Sequence, residues 1–198
     1  MKQQGKFILL SLKEFAGWLK LKQVTRQITL IQNHHTYQPN YSSFEGNNHF
    51  QLLIGMESYH IHCAGMAQIA QNFTIFPDGL IAVCRDLNTS PAGIYGANSS
   101  GICIESVGNF DVDHDQMTEA QKDAIIGVNA LLCLKFDLPA DTNSIVYHHW
   151  FDLDTGRRTN GSFGNVKTCP GTNFFGGNTV QAAKENFIPL IIERMVAV

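Results

Sequence analysis

Two histidine pairs and one cysteine are the residues of this chain best suited to chemistry. His34-His35 closes the run Ile31-Gln32-Asn33, His148-His149 stands between Tyr147 and Trp150, and Cys169 lies in Lys167-Thr168-Cys169-Pro170-Gly171. Two imidazoles and a thiolate are borderline-to-soft donors. A catalytic zinc takes three protein ligands and keeps one position open for water, so the first reading is a zinc hydrolase. Neighbouring residues on a strand face opposite ways, so only one histidine of each pair can enter a given site. Periodicity does not choose between them, because both faces of a central strand are apolar. Cys169 taken alone has three readings: a buried structural thiol, a nucleophile paired with a histidine, or a metal ligand. Pro170-Gly171 fixes a turn that suits presenting its side chain at a loop end.

Several elements must position these groups. Leu12 to Leu21 reads as a short helix, with Phe15, Trp18 and Leu19 at i, i+3 and i+4. Arg26 to Asn33 reads as a strand whose end delivers His34. Phe50, Leu53, Ile54, Glu57 and Ile61 follow helical spacing over residues 48 to 62. Phe73-Thr-Ile-Phe76, Pro77-Asp78-Gly79 and Leu80-Ile-Ala-Val83 form a hairpin signal with its turn residues in place. Residues 101 to 107 read as a further strand. Thr118-Glu-Ala-Gln121 is a capping box opening a helix through Leu134. Ser144 to Tyr147 is a short strand ending at His148, and Asn178-Thr179 starts a final helix interrupted or kinked at Pro189. Strands mixed with helices predict the α/β class, with one central mixed β-sheet flanked by helices.

The 198 residues fit one domain spanning 1–198, with no internal repeat or low-complexity linker. A hydrophobic content of 44% and a mean hydropathy of −0.08 are those of a soluble globular chain. The net charge of −3 with scattered basic residues offers no electrostatic case for nucleic acid or an anionic membrane. No run approaches the roughly 18 apolar residues of a membrane span. Phe7 to Leu12 after Lys2 and Lys6 is about six residues long, shorter than a signal-peptide core, and reads as part of the fold. The five cysteines are irregularly spaced, and Cys84 and Cys103 sit in apolar strand-like runs. Buried free thiols and synthesis in a reducing compartment are expected.

Glu105 ends the apolar run Ile102-Cys103-Ile104, where a carboxylate is out of place unless it faces a site. His60, His62 and Cys63 look like a cluster, but an i, i+2 pair on a helix diverges. His49 and His114 receive no role. Residues 152 to 168 form a polar, glycine-bearing loop. Asp152-Leu153-Asp154-Thr155-Gly156 hints at a calcium loop but fails the EF-hand pattern, with the glycine one position early and no acidic twelfth residue.

Taken together, the strand ending in His34-His35-Thr36, Asp78-Gly79 followed by Arg85-Asp86, Ile102-Cys103-Ile104-Glu105-Ser106-Val107-Gly108-Asn109-Phe110-Asp111, His148-His149 and Lys167-x-Cys169-Pro170-Gly171 resemble a family. The chain is similar to the zinc-dependent N-acetylmuramoyl-L-alanine amidases of the peptidoglycan recognition protein and phage-lysozyme amidase superfamily, over about residues 24 to 175. That resemblance implies Zn2+ held by the first histidine of each pair, His34 and His148, with Cys169 as third ligand. It implies cleavage of the amide joining the lactyl group of N-acetylmuramic acid to L-alanine in bacterial peptidoglycan or muropeptides. Glu105 matches a glutamate catalytic in many relatives. Lys167 matches a lysine near the metal that would stabilise the developing oxyanion. Where some relatives carry a catalytic tyrosine, Gln71 stands here; glutamine transfers no protons, so it becomes a candidate for bonding substrate or water. Asn98 and Asn109 are candidates to line the glycopeptide groove. A monomer is expected, made in the cytoplasm without a recognisable signal peptide and acting on the wall after release, as an endolysin or autolysin does. Two other classes compete: a recognition module that binds peptidoglycan without cutting it, and a papain-like cysteine hydrolase using Cys169.

Overall fold

The computed structural model describes residues 1–197. Seven strands form one mixed sheet: β1 (Lys2–Gln4), β2 (Phe7–Leu10), β3 (Leu30–His35), β4 (Phe73–Ile75), β5 (Ile81–Val83), β6 (Gly101–Ser106) and β7 (Ile145–Tyr147), in the order β1-β2-β5-β4-β6-β3-β7. The β4–β6, β6–β3 and β3–β7 pairs are parallel, and the remainder antiparallel. The helices are α1 (Leu12–Leu21), α2 (His49–His62), α3 (Glu119–Phe136), α4 (Val180–Ala182) and α5 (Ile188–Val196).

The register sorts the residues by face. Gln32 and His34 lie opposite Cys103 and Glu105, and Glu105 lies opposite Thr74. All five therefore share one face, while Ile31, Asn33 and His35 share the other with Ile102 and Ile104. The second face carries the larger core. Phe15 of α1, Ile125 and Val128 of α3 and Ile191 of α5 pack there on Phe73, Ile102 and Ile104. Asn33 pairs its carboxamide reciprocally with Asn129 of α3, at 2.9 and 3.0 Å. The first face is covered only in part. Leu53 and Met56 of α2 pack on Phe7, Leu9, Ala82 and Val107 at one end, and the end bearing His34 and Glu105 stays open to a cleft.

Three sequence expectations need correction. β3 begins at Leu30 rather than Arg26 and runs through both histidines, because its parallel ladder with β6 continues to His35 and Ser106. Arg26 instead donates to the carbonyls of Leu87, Ser99 and Gly101. The capping box at α3 is half formed. Thr118 Oγ1 accepts from the Gln121 amide at 3.0 Å, but the fully buried Gln121 carboxamide donates to the carbonyls of Ile75 and Val107. The final helix starts with Thr179 as N-cap, and its break is a π-helical segment, Ala183–Phe187, that precedes Pro189. The apolar run after Lys6 forms β2, paired with β1 at the sheet edge. Among the described residues no helix is long and apolar enough to cross a membrane.

Candidate metal centre and active site

His34 projects from β3 into the open face of the sheet. His148 opens a short 3₁₀ turn, His148–Trp150, directly after β7. Cys169 comes from the irregular segment that follows. The three side chains converge: His34 Nδ1 is 3.5 Å from Cys169 Sγ, and the two imidazole rings stand 4.8 Å apart between centroids. One ligand atom from each lies within 4.8 Å of the other two. Bonds of about 2.0–2.3 Å from three such donors can meet at one tetrahedral ion.

Two of the three donors are held in the form that metal ligation uses. Burial holds His34 well below the ordinary imidazole range, with His148 adding to the effect. Burial, then Lys167, lowers His148 to about 4. Both rings are thus neutral at pH 7, as metal ligation requires. Burial, then Glu105, pushes the Cys169 thiol well up; a bound cation reverses that preference and holds it as thiolate. His34, Cys103 and Glu105 make an overlapping donor set with the same closeness. Cys103 is fully buried and outside the cleft walls, whereas His34, His148 and Cys169 all border the cleft.

The second histidine of each pair goes elsewhere. His35 Nδ1 accepts from the Phe110 amide at 3.1 Å, and its ring packs on Tyr37 and Phe110. His149 Nδ1 donates to the Lys167 carbonyl at 2.7 Å.

The cleft has a volume of about 1030 Å³ and runs from this centre along α2. Glu105 borders it, with Oε1 4.0 Å from His34 Nδ1. Burial raises the Glu105 carboxyl to about 8, with Lys167 pulling the other way. Lys167 is exposed on the rim, and its positive charge reaches His34, His148, Glu105 and Cys169. Gln71 is fully buried in the wall; its Nε2 donates to Thr74 Oγ1 at 2.9 Å, and its Oε1 has no partner. Asn98 and Asn109 are not brought to the cleft walls. Asn98 Oδ1 accepts from the amides of Gly93 and Ile94, each at 2.9 Å, and Asn109 Oδ1 accepts from the Asp111 amide at 3.2 Å. Both carboxamides shape loops.

The α2 wall was not anticipated from sequence. Leu52, Met56, Tyr59 and His60 border the cleft, and their i, i+4, i+7, i+8 spacing was the available signal. His60 Nδ1 accepts from the Ala70 amide at 3.2 Å. His62 and Cys63 are exposed and, among the described residues, belong to no metal-binding group. His49 also gains a partner: its Nε2 lies 2.8 Å from Asp78 Oδ2, between Phe44 and Phe76.

Residues 24–172 match the family model described as N-acetylmuramoyl-L-alanine amidase. Solved structures repeat the fold. Wild-type PGRP-LB of Drosophila superposes with a TM-score of 0.61 at 19% identity, covering 82% of this chain and 83% of that one. N-acetylmuramoyl-L-alanine amidase LysC from Clostridium intestinale URNW gives 0.56 at 20% identity, covering 83% and 89%. Human PGRP-IBETAC, in complex with glycosamyl muramyl pentapeptide, gives 0.53 at 20% identity, covering 72% and 80%. No curated protein matches the chain by sequence.

Proposed function

The chain belongs to the N-acetylmuramoyl-L-alanine amidase family, and from that membership we propose that it is a zinc-dependent hydrolase. Its substrate in this reading is the amide between the lactyl group of N-acetylmuramic acid and L-alanine, in bacterial peptidoglycan or in muropeptides. The observation that carries the reading is the meeting of three mutually close donors, His34, His148 and Cys169, at the base of a cleft also bordered by Glu105 and Lys167. Zn2+ held by those donors would supply Lewis acidity toward the scissile carbonyl and a water activated near neutral pH.

The remaining work falls to the chain's own groups. Glu105, bordering the cleft beside His34, would take a proton from the attacking water and return it to the departing alanine nitrogen. Lys167, on the cleft rim, would supply positive charge to the oxygen on which negative charge develops. Gln71 lies in the wall of the same cleft, its nitrogen engaged by Thr74. The α2 wall and the segment after β3 bound the cleft in which sugar and stem peptide would lie.

One observation favours the alternative of recognition without cleavage: Gln71 occupies the position of a tyrosine that some relatives use in catalysis. The complete donor triad favours the enzyme. A soluble muropeptide separates the two. Catalysis releases a peptide with a new alanine amino terminus, and Cys169→Ser abolishes that release while substrate binding persists. Saturable binding with no product from the zinc-loaded wild type would establish recognition instead.

A further inference from the structure

His34 is fixed by a strand ladder, but Cys169 sits on irregular chain between residues 152 and 173. Something else must hold its thiol beside His34. The segment Asn109 to Val112 grips the loop from one side. Asp111 Oδ2 accepts from Thr168 Oγ1 at 3.0 Å, and Asp111 Oδ1 accepts from the Thr172 amide at 2.9 Å. These two residues bracket Cys169-Pro170-Gly171. Two further bonds flank the clamp: Val112 N donates to Thr172 Oγ1 at 2.9 Å, and Asn173 N donates to the Phe110 carbonyl at 2.8 Å. The backbones approach so closely that a Cβ on Gly171 would stand 2.4 Å from the Phe110 carbonyl carbon.

The opposite side of the loop is held less completely. Asn178 Nδ2 donates to the Thr168 carbonyl at 2.8 Å, and the His149 amide donates to the Cys169 carbonyl at 2.7 Å. Neither reaches past Pro170. Among the described residues, Asp111 is the one side chain bonded on both sides of Cys169.

We propose that Asp111 is the positioning residue of the metal centre, clamping the loop across Thr168 and Thr172 so that Cys169 is presented to the ion with His34 and His148. The inference rests on the zinc reading above. Outer partners that fix a ligand's position typically contribute about 10–100-fold in metal affinity. Asparagine can keep the clamp, with its oxygen on the Thr172 amide and its N–H turned to Thr168 Oγ1. Alanine cannot.

Two measurements on the full chain test this, in a Cys63→Ser background that removes the exposed thiol. The first is zinc affinity by competition with a chelating dye. Asp111→Ala should weaken zinc binding about 10–100-fold, Asp111→Asn should stay within a few-fold of wild type, and Thr168→Val, which cuts one arm, should fall between. The second is the rate of Cys169 alkylation in metal-free protein, read by peptide mass. It should rise in Asp111→Ala and stay low in Asp111→Asn. Wild-type values for both in Asp111→Ala would overturn the proposal, as would equal impairment of the asparagine and alanine variants. If wild type itself takes up no zinc, the metal reading falls, and the alkylation rates alone decide whether Asp111 fixes Cys169.

Discussion

His34 and Glu105 are register partners across β3 and β6, and their side chains face each other on the open side of the sheet with Nδ1 and Oε1 4.0 Å apart. The parallel ladder therefore ties His34 to the carboxylate. Neither can move along its strand without the other. Glu105 Oε2 is buried without a protein partner.

Glu105→Gln keeps the size and polarity of the side chain and removes only its proton chemistry. The variant should fold, bind zinc as wild type does, and lose activity by roughly two orders of magnitude or more. Circular dichroism, metal analysis and turnover on one preparation check this. Near-normal turnover in a folded, zinc-loaded variant would end the assignment.

Lys167 can act on the transition state or merely attract an acidic substrate. Lys167→Met should lower kcat by ~10²-fold while KM changes little if the charge meets the developing oxyanion. A steering charge would instead leave kcat alone and raise KM, an effect that added salt reproduces. Kinetics at two ionic strengths decide.

The ligand set makes a prediction within each histidine pair. His34→Ala, His148→Ala and Cys169→Ala should lose stoichiometric zinc. His35→Ala and His149→Ala should retain it, since those rings bond the Phe110 amide and the Lys167 carbonyl. Elemental analysis of dialysed protein reads the result, and full zinc retention in any of the first three removes that residue from the site.

Tyr147 tests the packing beneath the site. Its hydroxyl is buried without a protein partner, while its ring packs on Trp150 and Phe174. An unsatisfied buried hydroxyl costs about 1–3 kcal/mol, so Tyr147→Phe should leave the protein equally stable or stabilise it by about 1 kcal/mol. Urea unfolding of the metal-free protein measures this, and a clear loss of stability would mean that the hydroxyl is bonded in solution.

Much of this was legible before the structure. Helical spacing around Phe15 and Leu19, turn residues at Pro77-Asp78-Gly79 and the apolar run before Glu105 are local signals, and each gave the right element. What local signals cannot carry is partnership across the chain. The extension of β3 through His35 depends on β6, some 70 residues away. The Gln121 carboxamide donates its N–H groups to the carbonyls of Ile75 and Val107 and does not close the helix cap. Asn98 and Asn109 were groove candidates because polar side chains near a site can bond substrate or their own loops; in the structure their carboxamide oxygens accept from loop amides. The His34–His148–Cys169 convergence likewise joins β3, the turn after β7 and a late loop. Resemblance proposed it, and the fold brings the three together.

The most direct test of the central claim is digestion of purified bacterial peptidoglycan followed by mass analysis of the products. The account predicts stem peptides released with a free L-alanine amino terminus and glycan ending in intact lactyl groups, with release stopped by chelator, restored by zinc and absent in Cys169→Ala. No release by the zinc-loaded wild type, cleavage at another bond, or release that persists in chelator would contradict it.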